Sequence, residues 1–191
     1  MQLELVELPP LPTNVRVVYV SYNQLTRLTD YLPPRLLRLA CAWNALTALP
    51  PLPPTLQVLH CQGNALTALP SPLPPTLSYL CCSNNALTAL PLLPRWLRGL
   101  ACSDNALVAM PPLPLMLEEF SCFNNAVTTL STLPAGLITL AVDDTTRLPD
   151  VAPPAVSLPS PAEWWQYVHA QHGRDRASTA AYMPAAAALY V

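Results

Sequence analysis

The chain has 191 residues, of which 52% are hydrophobic and only 10% charged, and its formal net charge is -2. A balance so close to neutral excludes the electrostatic footprint of a nucleic-acid-binding protein. All nine basic residues are arginine, and 25 residues are proline, a share that signals disorder unless it is periodic.

The N-terminal Met1-Gln2-Leu3-Glu4-Leu5-Val6-Glu7 has neither the basic start nor the apolar stretch of a signal peptide. No run of eighteen apolar residues follows anywhere, so no membrane-spanning helix is expected. From residue 3 to residue 149 the sequence repeats itself. Asn23, Asn44, Asn64, Asn85, Asn105 and Asn125 are separated by 21, 20, 21, 20 and 20 residues. Each lies in the frame L-x-x-L-x-C-x-x-N-x-L-x-x-L, clearest in Leu36, Leu39, Cys41, Asn44, Leu46 and Leu49. A fixed period of this length marks a solenoid.

Numbering the frame from its first leucine, positions four and six differ by two and point to one side of a short strand. Position four holds Val18, Leu39, Leu59, Leu80, Leu100, Phe120 and Leu140; position six holds Val20, Cys41, Cys61, Cys82, Cys102, Cys122 and Val142. Positions three, five and seven then face the other way. Seven such strands stacked in parallel make a sheet roughly 30 Å long. The second half of each repeat carries L-P-x-L-P or a close variant, as in Leu49-Pro50-Pro51-Leu52-Pro53. Proline lacks a donor, so this half is neither helix nor central strand; an extended, polyproline-II back fits it.

Leu5 and Leu8 align with positions eleven and fourteen, so the chain begins in mid-repeat. Solenoid ends need polar caps, and the edge at 15–22 is therefore expected to be open and able to self-associate. In the seventh repeat Thr145 replaces the asparagine and Arg147 a leucine. A Pro-rich linker over 150–160 follows. Ser160-Pro161-Ala162-Glu163 then forms a capping box and predicts a helix over 161–172, ending at Gly173. With Trp164 and Trp165, the segment 161–191 reads as a C-terminal helical cap or tail.

The frame resembles that of leucine-rich repeat proteins. The L-P-x-L-P form is similar to the short repeats of secreted bacterial effectors, some of which add a ubiquitin-ligase domain. The resemblance implies buried asparagine side chains bonded to neighbouring backbone, as a buried amide requires. It also implies a concave face of strands that contacts other proteins. In the ligase effectors a cysteine in a C-x-D motif is catalytic. Cys102-Ser103-Asp104 has those letters, but Cys102 is a core position, and a buried structural thiol is inert. The tail beyond the repeats has no cysteine. No catalytic activity is expected.

Five of the six cysteines occupy position six at the repeat spacing, as small buried hydrophobes in a reducing setting. Cys81 is at position five and should face outward beside His60, one repeat earlier. A Cys–His pair can activate a thiolate, yet no carboxylate completes it. No metal and no cofactor are expected, and glycines are too few to cradle a phosphate.

The outward positions mix small residues with aromatics. Tyr19, Arg38, Trp43, His60 and Tyr79 are the candidate partner-binding residues, since exposed aromatics and arginine anchor protein contacts. Arginines lie early and acidic residues late, a bipolar face suited to oriented docking. The sequence thus predicts a cytoplasmic, non-enzymatic interaction module, in the host cytosol if it is a secreted effector. The alternatives are the substrate-recognition half of a ubiquitin-ligase-type effector and a decayed repeat without ligand.

Overall fold

The computed structural model describes residues 5–143 and 146–149. The expected helix over 161–172, the linker and the Thr145 substitution lie outside these residues.

Seven three-residue strands recur at the predicted places: β1 Val17–Tyr19, β2 Arg38–Ala40, β3 Val58–His60, β4 Tyr79–Cys81, β5 Gly99–Ala101, β6 Glu119–Ser121 and β7 Thr139–Ala141. They form one parallel sheet in sequence order. Position three pairs with position three throughout, as in Val17↔Arg38, Arg38↔Val58 and Val58↔Tyr79. Each strand is short because a proline-led turn lies a few residues before it and the left-handed turn at position eight follows it. The amide of position one donates to the carbonyl of the proline three residues earlier, as Leu56 N does to Pro53 O at 3.0 Å and Leu77 N to Pro74 O at 3.0 Å. That turn steers every repeat into its strand. Residue Thr55 Oγ1 also donates to Leu36 O at 2.8 Å, tying one turn to the preceding one on the outside of the strand.

The core is one apolar column inside the coil. Leu36, Leu56, Leu77, Leu97 and Leu117 at position one are fully buried, as are Leu46, Leu66, Leu87 and Leu107 at position eleven. Cys41, Cys61, Cys82, Cys102 and Cys122 complete it at position six. Full burial of each leucine contributes about 1.5–3 kcal/mol. The asparagines form the ladder the sequence implied. Asn85 Oδ1 accepts from Leu66 N at 3.0 Å, while its amide donates to Cys61 O, Cys82 O and Ser83 O at 3.0–3.1 Å. Leu5 N donates to Asn23 Oδ1 at 3.0 Å, the bond that Leu25 N makes to Asn44, so Leu5 stands at position eleven of a preceding turn.

Candidate partner-binding face

The strands place positions three, five and seven on the side opposite the core, and position eight at its rim. Tyr19 is 54% exposed, Arg38 is exposed, and Trp43 is 38% exposed. His60 and Tyr79 are half-buried. Ala40 stands between Tyr19 and His60 in the register, and Val58 between Arg38 and Tyr79. Tyr19, Arg38, His60 and Tyr79 thus lie on one side of the first four strands, one per strand, and Trp43 stands in the turn after β2, on the same rung as Arg38.

Sequence reasoning missed how the aromatics are held. Position eight has a left-handed backbone at every described rung from Tyr22 to Asn124, with φ from 53° to 66°. Gly63, Asn84, Asp104 and Asn124 suit that region; Tyr22 and Trp43 do not, and a bulky residue there is strained. The two rings stack at 6.2 Å between centroids with planes 20° apart. On its other flank Trp43 covers Gly63, where a methyl group would stand 2.5 Å from the indole. Tyr79 sits likewise over Gly99, where a methyl would meet its ring at 2.5 Å. Each glycine is a seat for an aromatic ring of the previous repeat. The readable signal was the column Gly63, Asn84, Asp104, Asn124, residue types that share a tolerance for positive φ. In its later half this rim becomes polar: Asn124 Nδ2 donates to Asp104 Oδ1 at 2.7 Å, and Asn124 N to Asp143 Oδ1 at 2.9 Å.

Position five departs from expectation. Cys81 does neighbour His60 in the register, but it is 4% exposed rather than open to solvent. With Ala101, Ala141 and Phe123 it makes a second, small apolar cluster on the strand side. The Phe123 ring and the closeness of adjacent rungs shade the small side chains. Burial pushes the Cys81 thiol up to about 12, against weaker lowering by hydrogen bonds to Ser83. A thiol so placed is a poor nucleophile, which removes the dyad. Cys102 is fully buried, and burial with its cysteine neighbours Cys82, Cys122 and Cys81 raises it well above the ordinary thiol value. Burial also raises Tyr22, and burial together with Glu119 and Glu118 raises Tyr79, so both phenols stay neutral at physiological pH. Among the described residues no group of three His, Cys, Asp or Glu could hold a metal ion, and no helix is long and apolar enough to cross a membrane.

A separate apolar surface lies in the proline-rich segments between strands. Leu92, Trp96, Leu115 and Met116 are exposed there, beside a groove of about 430 Å³ that Pro72, Leu93 and Arg95 help to line. Arg95 lies over the Trp96 ring at 4.8 Å.

No family model and no curated protein sequence matches the chain. Solved structures do. The chain is similar to YopM from Yersinia enterocolitica, at 35% identity and TM-score 0.77 over 82% of this chain and 35% of that one. It is similar to YopM, a leucine-rich effector protein from Yersinia pestis, at 28% identity and TM-score 0.68 over 80% of this chain and 50% of that one. It is also similar to a Shigella effector leucine-rich repeat domain, at 32% identity and TM-score 0.62 over 88% of this chain and 72% of that one. The chain therefore spans 35% and 50% of the length of the two Yersinia chains.

Proposed function

The chain belongs to the leucine-rich repeat family in its short, bacterial-effector-like form, and on that premise we propose that it is a non-enzymatic module that binds a protein partner on its strand face. Tyr19, Arg38, Trp43, His60 and Tyr79 are the contact residues. The observation that carries the reading is the Tyr22–Trp43 stack, held half-exposed on left-handed backbone. The repeat imposes this backbone at every described rung, so a bulky aromatic kept there at a cost points to a use beyond the scaffold, and exposed aromatics are the usual anchors of protein interfaces. Neither nucleic acid nor membrane is a partner in this reading, and the module acts in the cytoplasm, that of a host if the protein is secreted. Residues 150–160 serve as a linker and 161–191 as a cap or tail.

The test is capture of a partner from host-cell lysate by wild type and by a Trp43→Ala, Tyr79→Ala double variant with an unchanged circular dichroism spectrum. Loss of capture supports the face chosen; undiminished capture refutes it. One fact favours a second reading: the chain spans only 35% and 50% of the Yersinia neighbours. It would then be the recognition half of a larger effector of ubiquitin-ligase type. A helical domain with its own C-x-D cysteine in the adjoining coding sequence would support that reading, and its absence would remove it.

A further inference from the structure

Three arginines gather at one corner of the solenoid. Arg16 O accepts from Leu37 N at 2.7 Å and from Arg38 N at 3.1 Å, so Arg16 and Arg38 start from adjacent points of the backbone where β1 and β2 begin. Arg35 stands just before Leu36, in the place that Thr55 holds one repeat later. Thr55 Oγ1 donates to Pro34 O and Leu36 O of the preceding rung at 3.0 and 2.8 Å. The repeat thus lays Arg35 against the rung that carries Arg16. All three arginines are exposed, and half-buried Leu37 lies among them. No ion pair or side-chain hydrogen bond engages them among the described residues. Three rungs further on, the arginines are occupied: Arg98 is held by Glu118 at 2.6 Å, and Arg95 lies over the Trp96 ring.

Like charges gathered without a counter-charge repel one another, so the cluster is unrewarded in the free chain. A guanidinium has five donors in a planar fork and no acceptor, and such forks grip phosphate through paired hydrogen bonds. The nearest described carboxylates in sequence, Glu7 and Asp30, lie in the return segments. On the strand side, acids enter only from the fifth rung on, at Asp104, Glu119 and Asp143. That rung is about 14 Å from the rung of β2, at about 4.8 Å per strand. A long anion laid along the solenoid, such as a nucleic acid or an extended acidic tract, would run onto these carboxylates. A compact anion stays clear of them. A phosphate monoester concentrates a charge of about -1.5 to -2 and three acceptor oxygens in one group, which suits three guanidinium groups at one corner. We propose that Arg16, Arg35 and Arg38 bind a phosphorylated side chain of the partner protein. The inference rests on the strand face being the partner surface, of which Arg38 is part, and it names what the partner brings to the first two rungs.

The full chain, isotope-labelled at its nine arginines, is titrated with phenyl phosphate and with benzoate and followed by nuclear magnetic resonance. Phenyl phosphate should shift the signals of Arg16, Arg35 and Arg38 saturably and leave those of Arg95, Arg98 and Arg147 in place. Benzoate, with the same ring and a single charge, should bind at least about fivefold more weakly. An Arg16→Gln, Arg35→Gln double variant with an unchanged circular dichroism spectrum leaves all five strand-face contacts intact. It should lose the shift at Arg38 and most of the partner capture. Phosphatase treatment of the lysate should reduce wild-type capture at least about fivefold. Shifts that are absent or spread evenly over all the arginines, equal binding of benzoate, or capture indifferent to phosphatase or to the double variant would overturn the proposal. If it falls while the Trp43→Ala, Tyr79→Ala variant still loses capture, the strand-face reading stands; if that variant also captures normally, both fall.

Discussion

Asn85 sits in the middle of the asparagine ladder, and its replacement separates two roles of one amide. The Asn85→Ala variant removes four hydrogen bonds, but their losses are unequal. Each of the three carbonyls keeps another donor: Cys61 O from Asn64 Nδ2, Cys82 O from Asn105 Nδ2, and Ser83 O from Gly63 N. Leu66 N, by contrast, loses its bond to Oδ1. An orphaned backbone donor costs about 1–3 kcal/mol, and three partly compensated bonds add a few tenths each, for a total of about 3 kcal/mol. The Asn85→Asp variant keeps the acceptor for Leu66 N but sets an anion against three carbonyl oxygens. At pH 7 it should be at least as destabilised as Asn85→Ala. Its carboxyl is pushed above the ordinary range, so the folded state holds the proton longer than the unfolded state does. Stability is then greatest below about pH 4, where the protonated acid can donate, and declines as pH rises. Urea denaturation followed by circular dichroism at pH 3.5 and pH 7 reads both variants. An Asn85→Asp protein as stable as wild type at pH 7, or one that gains stability relative to wild type as pH rises, would refute this account of the ladder.

Trp43 at φ 54° gives a rank order: Trp43→Gly should exceed Trp43→Ala in stability by about 1 kcal/mol, because only alanine keeps the left-handed penalty; the reverse order in thermal melts would show that the backbone is not strained there. Phe123→Ala opens the cluster over Cys81 and should cost about 2–4 kcal/mol. In the native variant one thiol should become reactive to a chromogenic disulfide, against none of the six buried thiols of wild type. Gln62 Oε1 is buried without a partner, so Gln62→Met should cost under about 1 kcal/mol or stabilise the fold; a loss beyond about 2 kcal/mol in urea would reveal an unrecognised bond. The thiols of Cys41, Cys81 and Cys122 are all raised to about 12 by burial from an ordinary 9.0. The unfolded chain therefore ionises first, and stability should fall as pH rises above about 9, by up to about 1.4 kcal/mol per pH unit for each thiol. A melting temperature constant from pH 8 to 10.5 under reducing conditions would contradict that burial.

The period made the scaffold legible because burial inside a solenoid is decided by register alone. Position four is buried at every described rung from Val18 to Leu140, and position six from Val20 to Cys122. The outward side was less legible, for a physical reason. Alternation along a strand gives the direction of a side chain, not its exposure. Ala40, Cys81, Ala101, Ser121 and Ala141 all lie on the strand side as alternation requires, yet all are buried. Rungs about 4.8 Å apart let any larger neighbour shade a small residue. Phe123 is such a neighbour, and no local pattern distinguishes it from the exposed Tyr19 two positions off in phase. The candidate aromatics were legible as types, whereas their seats on Gly63 and Gly99 depend on residues a full repeat away.

That dependence also explains why Phe123 and Trp43 should be assigned to different purposes. Phe123 is 9% exposed and covers side chains that would otherwise meet water; stability accounts for it. At Trp43 strain and stacking nearly offset each other. Left-handed backbone costs about 1 kcal/mol at each of Tyr22 and Trp43, and their stacking returns about 0.5–1.5 kcal/mol beyond burial. Asparagine, as at Asn84 and Asn124, would hold the same turn at less strain and leave no apolar surface in water. The covered faces of the two rings stabilise the fold, but folding alone does not favour the part of each ring left in water. A partner that buries them does: covering a ring face contributes roughly 25 cal/mol per Å² of apolar surface removed from water. The exposed part of Tyr22 and Trp43 is thus unrewarded in the free chain, and the proposed contact on the first rungs of the solenoid would reward it.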